Sequence, residues 1–199
     1  MHKILSTIFL VLACCAATLT AQAETKTAIF AGGCFWCMQA PFDAAKGVTQ
    51  TIVGYTGGSK ETANYELVSA HKTQHREAIE VTYDPAKISY DQLLEIFWHN
   101  INPTQADGQF HDLGLSYQAA IYFADDAEKK QAETSKERLD KSGKFKQAVV
   151  TEILPRMPFY PAEDYHQKYY LKNPQDFESY HIGSGRVDYL EGIWGKPDR

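Results

Sequence analysis

Cysteine is scarce in this chain: 199 residues hold only Cys14, Cys15, Cys34 and Cys37. That excludes a scaffold stapled by several disulfides. Positive charge is in short supply as well, with 20 Lys and Arg against 25 Asp and Glu and a formal net charge of −5. Such a balance argues against nucleic acid or an anionic membrane as a partner. Low-complexity tracts, internal repeats and linker-like stretches are missing, and the 12 Tyr and 10 Phe are scattered rather than interleaved with Arg. What remains is the composition of a soluble globular protein, 44% hydrophobic and 23% charged, of a length that suits one domain.

The apolar run at the N-terminus is short. Met1-His2-Lys3 makes a basic start, Ile4 to Ala13 is apolar, and Ala21-Gln22-Ala23 is a small-x-small cleavage site before Glu24. The pattern predicts a secretory signal over 1–23 and a single catalytic domain over 24–199, secreted and expected in the periplasm. A membrane anchor fits less well, because the run is too short to span comfortably. Lipid attachment at Cys14 is a further reading, and it too would tie the chain to a membrane. Signal removal takes Cys14, Cys15 and Lys3 with it. The mature chain then carries a charge of −6 and keeps only Cys34 and Cys37.

Those two cysteines sit in Ala31-Gly32-Gly33-Cys34-Phe35-Trp36-Cys37-Met38-Gln39, after the apolar run Thr27-Ala28-Ile29-Phe30. The pattern predicts a strand, a glycine turn and a helix starting near Cys34. A cysteine in the first turn of a helix faces free N–H groups and the positive end of the dipole, so its pKa is expected to fall. Cys37 lies one helical turn on. Further along, strands are expected over 49–55, 77–83, 117–123 and 148–154. Helices are expected over 38–45, 64–70, 90–101, 125–141 and 162–171. Ser89-Tyr90-Asp91-Gln92 is a capping box. Residues 104–116 read as a polar loop, 155–161 as a turn, and the segment after Asn173-Pro174 as an irregular tail. In strand 77–83, Glu77 shares parity with Ile79, Val81 and Tyr83, which places a carboxyl at the end of the inward face. The strands alternate in polarity, so the fold class is α+β, a mixed sheet with helices packed on one face.

Three kinds of chemistry suit this cysteine pair. Zinc would need partners such as His71 and His75, which lie too far along the chain for usual ligand spacing. Thiol–disulfide exchange of the thioredoxin kind also uses Cys-x-x-Cys at a helix start, but with the tryptophan placed before the pair. The third is attack on a substrate followed by resolution. It needs a nucleophile, an acid such as Glu77 on an apolar face, hydroxyl donors such as Tyr65 and Tyr117, and a second thiol, Cys37.

Gly33-Cys34-Phe35-Trp36-Cys37 resembles the signature of the A-type peptide-methionine sulfoxide reductases. The likeness continues through Gly54-Tyr55-Thr56-Gly57-Gly58, Asn64-Tyr65, His75-Arg76-Glu77-Ala78, Asp112-Leu113-Gly114-Leu115-Ser116-Tyr117 and Ala162-Glu163-Asp164-Tyr165-His166-Gln167. The resemblance implies a ferredoxin-like core and thiol-dependent reduction of methionine-S-sulfoxide, free or in oxidised proteins and peptides. It implies Cys34 as nucleophile, Glu77 as proton donor and Cys37 as resolving thiol. Phe35 and Trp36 would line the S-methyl pocket, and Tyr65, Tyr117 and Asp112 would form its polar side. No metal or organic cofactor is implied, only an external thioredoxin-like dithiol. Two departures stand out. Gln39 replaces a glutamate common in the family, and the tail from Phe177 to Arg199 carries no cysteine.

Overall fold

The computed structural model describes residues 24–196, so the expected signal segment, with Cys14 and Cys15, lies outside the described residues. The chain runs β1 (Lys26–Ala31), α1 (Phe35–Asp43), β2 (Val48–Thr56), α2 (Tyr65–Ser69), β3 (Arg76–Tyr83) and α3 (Tyr90–Trp98). It continues through β4 (Gly108–Gln109), β5 (Asp112–Leu113), β6 (Ala120–Phe123), α4 (Asp126–Asp140), β7 (Glu152–Pro155) and β8 (Phe159–Pro161). It ends with α5 (Tyr169–Lys172), α6 (Pro174–Gly183) and α7 (Arg186–Trp194).

Six strands form one sheet in the order β7-β6-β1-β3-β2-β8. All neighbours are antiparallel except β6 and β7. That parallel step needs a crossover, which α4 supplies. The sheet is mixed, with helices on its main apolar face. Period-two alternation explains that face. Ala28 and Phe30 of β1, Val53 and Tyr55 of β2, Ile79 and Val81 of β3 and Ile121 of β6 share one parity and are fully buried. Phe30 is the hub, its ring 5.3 Å from Phe42 of α1 and 5.2 Å from Phe97 of α3. A smaller apolar group, Ile29, Ala31, Ala78, Ala120 and Tyr122, occupies the opposite parity.

Helix α3 starts as its sequence predicts. Ser89 Oγ accepts from Gln92 N, and Gln92 Oε1 accepts from Ser89 N at 2.8 Å. Its stripe of Tyr90, Leu93, Leu94 and Phe97 is buried, as is Ile101 beyond its end. The helix closes at Trp98, before Asn102-Pro103 could stop it.

Several expectations are corrected. The stretch 104–116 is not structureless, because β4 and β5 pair within it. Tyr117 ends a 3₁₀ turn, Leu115–Tyr117, so the strand begins at Ala120. The expected turn over 155–161 contains an edge strand, β8, and strand β7 begins only at Glu152. The expected helix over 162–171 is broken into a 3₁₀ turn, Asp164–His166, and α5, with Lys168 between them at φ +56°. Helix α4 is capped by Asp125, which accepts from Glu128 N at 2.8 Å. The tail is not irregular. It forms α6 and α7, with Pro174 at the first turn of α6 and Gly185 turning the chain at φ +79°. Helix α6 buries no residue and so lacks the apolar stripe that marks a helix in sequence.

Candidate active site

Strand β1 delivers the chain into the turn Gly32-Gly33. Gly33 has φ +81°, and a Cβ there would lie 2.6 Å from Gln109 Cβ. Only glycine meets both demands. Cys34 follows as the N-cap of α1, and Cys37 N donates to Cys34 O at 3.1 Å. The strand-turn-helix expectation therefore holds, and the two sulfurs share the first turn.

The expected electrostatics of Cys34 do not hold. Burial, the hydrogen bond with Cys37 and the Glu77 carboxyl push the Cys34 thiol well above its ordinary value. Desolvation penalises an anion more than the end of a nine-residue helix favours it. The low-pKa partner is Cys37. The hydrogen bond from Cys34, the Arg186 charge and His181 hold it well below the ordinary thiol range, against its own burial.

Glu77 stands where parity predicted, on the main apolar face and 2% exposed. Strand register sets it opposite Tyr55. Burial raises its pKa to about 8, with Asp112 and Cys37 adding to the rise, while a hydrogen bond from Phe35 N (3.0 Å) opposes it. A carboxyl in this state holds a proton at neutral pH yet can give it up. The Phe35 N–H is a free donor of the first turn of α1, so the helix that presents Cys34 also positions the acid.

Tyr65 begins α2. Asn64 caps that helix by accepting from Leu67 N, and Glu163 accepts from Tyr65 N at 3.0 Å. Burial, then Glu77 and Cys34, raise its phenol to about 12. The same three influences raise Tyr117, whose ring packs edge-on against His71 at 5.9 Å. Asp112, on β5, accepts from the Tyr180 hydroxyl, and burial lifts its carboxyl above the usual range. Cys34, Cys37, Glu77, Tyr65, Tyr117 and Asp112 thus converge on one locus. Phe35 and Trp36 flank it, Phe35 buried and Trp36 half-buried. Phe35 is 1% exposed, against Tyr55 and His166. Trp36 stacks flat on Tyr169 at 3.9 Å and donates through Nε1 to His166 Nδ1 at 2.9 Å. His71 and His75, the partners a zinc reading would need, are engaged elsewhere, with Ser116 Oγ and with Gly58 N and Ser59 O.

Sequence reasoning missed the contributions of the C-terminal third. Tyr180 of α6 bonds Asp112 and reaches the Cys34 thiol. His181 Nδ1 lies 3.3 Å from Cys37 Sγ. Arg186, 1% exposed, donates to Gly32 O at 2.9 Å and to Asn100 O, bracing the back of the glycine turn. His166 is buried, which lowers its pKa to about 4, so its neutral ring can accept from Trp36. Gln39 is fully buried: Nε2 donates to Thr51 Oγ1 at 3.1 Å and Oε1 accepts from Lys168 N at 2.7 Å. A carboxylate could not make that donation. The signals were present only as residue types, since 144 positions separate His181 from Cys37.

A family model described as peptide methionine sulfoxide reductase matches residues 26–197. The chain belongs to the A-type peptide methionine sulfoxide reductases. The MsrA enzyme of Bacillus subtilis is 51% identical over 172 residues, 86% of this chain and 97% of that protein. The MsrA of Listeria welshimeri is 47% identical over 169 residues, 85% of this chain and 96% of its own. Among solved structures, reduced Mxr1 of Saccharomyces cerevisiae superposes with a TM-score of 0.72 at 30% identity, covering 77% of this chain and 88% of that one. Methionine sulfoxide reductase A of Corynebacterium diphtheriae gives 0.66 at 32%, covering 77% of each. As a peptide methionine sulfoxide reductase, the chain carries out thiol-dependent reduction of methionine sulfoxide, a protein-repair activity. Between substrate attack, bare disulfide exchange and zinc binding, the family decides for the first.

Proposed function

We propose that Cys34 attacks the sulfur of methionine-S-sulfoxide while Glu77 passes its proton to the sulfoxide oxygen. The observation that carries this reading is the buried Glu77 carboxyl, held within reach of the Cys34 turn by Phe35 N and titrating at about 8. Two electrons go from the Cys34 sulfur to the methionine sulfur, and the oxygen ends on Cys34 as a sulfenic acid. Glu77 receives the Cys34 thiol proton in exchange, so the step is neutral overall. Tyr65 and Tyr117 keep their phenols protonated and so serve as donors to the oxygen. Asp112 anchors the polar side through Tyr180. Phe35 and Trp36 supply the apolar wall for the S-methyl group.

Methionine departs, and Cys37 condenses with the sulfenic acid to form the Cys34–Cys37 disulfide and water. An external thioredoxin-like dithiol then reduces that disulfide, a role supported by the need for two thiols to open it. The substrates are oxidised proteins and peptides, or the free amino acid. We place the enzyme in the periplasm, after cleavage following Ala23. The basic start, the apolar run and the small-x-small site Ala21-Gln22-Ala23 support that reading.

The deciding assay mixes the protein with racemic methionine sulfoxide and a dithiol. Consumption of the S epimer alone is expected. Cys37→Ser should release one methionine per enzyme and then stall with a dithiol protein as reductant. Sustained turnover there would remove Cys37 from the mechanism.

A further inference from the structure

Cys37 is 2% exposed, and the Cys34 thiol hydrogen bond that most favours its thiolate is gone once Cys34 is a sulfenic acid, so a buried thiol must then lose a proton before its sulfur can attack. His181 Nδ1, 3.3 Å from Cys37 Sγ, is the imidazole placed to take it. The ring is held in position. It stacks on Phe177 at 5.3 Å, one helical turn earlier, and Ser184 Oγ donates back to His181 O at 2.9 Å. His181 also lines a cavity of about 470 Å³ between α6, α7 and the end of α3, together with His99, Asn100 and Trp194. One side chain therefore touches both a buried sulfur and a cavity at the surface large enough for many waters. Neither the epimer-selective attack nor the acid role of Glu77 uses it.

We propose that His181 is the general base of the resolving step, taking the Cys37 proton on Nδ1 as Cys37 attacks the Cys34 sulfenic sulfur. This rests on Cys37 being the resolving thiol. The Cys37–Cys34 S–S bond forms and the Cys34–O bond breaks. The departing hydroxide takes the Glu77 proton and leaves as water. The Cys37 sulfur is oxidised and the Cys34 sulfenic sulfur is reduced, both to the disulfide level. The imidazolium then returns its proton through solvent in the cavity, as Glu77 takes one back. Nothing beyond the two cysteines is consumed. The Arg186 charge works in the same direction, favouring the Cys37 thiolate.

The test is a single turnover of the full chain with methionine sulfoxide and no reductant. It follows methionine release, disulfide formation and a dimedone adduct on Cys34. In His181→Gln, methionine release should stay within about twofold of wild type. Disulfide formation should slow about 100-fold, in the range general base catalysis supplies, and the dimedone adduct should accumulate. His181→Ala should behave alike. Disulfide formation at the wild-type rate in either variant overturns the proposal. Loss of methionine release in both also overturns it, because His181 would then serve the whole site. Cys37→Ser, assayed separately with a dithiol protein as reductant, distinguishes the two readings. If it stalls while His181→Gln closes the disulfide normally, His181 alone is wrong. If it turns over normally, the resolving role of Cys37 fails first.

Discussion

Glu77 shows how one side chain carries the chemistry through its surroundings. Its carboxyl would titrate near 4.5 in water and titrates at about 8 here, because burial outweighs the Phe35 N–H. The protonated form is the acid, so methionine release should fall as pH rises through about 8. Glu77→Gln should lower that step by about 100-fold or more and flatten its alkaline limb, while alkylation still finds the Cys34 thiol. Stability follows the same titration. Between about 4.5 and about 8 the folded chain holds a proton that the unfolded chain has lost. The contribution of Glu77 is fully present below the lower value and is lost as pH rises through the upper one. Urea unfolding at several pH values should show the slope, at most about 1.4 kcal/mol per pH unit, and Glu77→Gln should remove it. A wild-type slope in the variant would contradict the assignment.

At the scale of elements, the site is a junction of β1 and α1 with three later segments. The junction depends on Gly33. An alanine there would strain φ +81° and press its Cβ to 2.6 Å from Gln109 Cβ. Gly33→Ala should cost about 1–3 kcal/mol in thermal or urea unfolding. It should also slow methionine release, because Cys34 and the Phe35 N–H both move with the turn. Unchanged kinetics with lowered stability would mean that the turn supports the fold only. The segment 162–168 is the second brace. Glu163 accepts from Tyr55 Oη and Tyr65 N, His166 from Trp36, and Gln167 bonds both N and O of Val53. Those contacts explain why the stretch is a broken path rather than the expected helix: its side chains are spent on the sheet edge and the aromatic wall.

Across the whole molecule, the last two helices close what the first forty residues open. Arg186 of α7 reaches Gly32 O, 154 residues away, and Asn100 O behind α3, with Phe110 against its guanidinium at 4.5 Å. Arg186→Met would leave the buried Gly32 carbonyl and the half-buried Asn100 carbonyl without this donor and take a positive charge from the neighbourhood of Cys37. The expected loss is on the order of 3 kcal/mol in urea unfolding, with a rise in the Cys37 thiol pKa read from ultraviolet thiolate absorbance. A variant with wild-type stability and titration would show that α7 contributes neither support nor charge. No helix among the described residues is long and apolar enough to cross a membrane.

Much of this was readable in the one-dimensional order of residues. Strand β3 and the inward parity of Glu77, the capping box of α3 and the glycine turn before Cys34 all rest on neighbours within four positions, where period and propensity act directly. The family signature, a run of short motifs in order, also lies in sequence. Other features had no local signature. The helicity of α6, which buries nothing along a stripe, was invisible to periodicity. The pKa of Cys34 was misjudged because a helix start is visible in sequence, whereas the burial that overrides it is not. Tyr180 on Asp112, His181 on Cys37 and Arg186 behind Gly32 join residues 68, 144 and 154 positions apart. The sequence by itself determined which atoms could react and where the strongly patterned strands and helices lie. Only the tertiary structure decided which thiol is easily ionised and what stands beside it, because desolvation and through-space contact depend on distances that chain order does not encode.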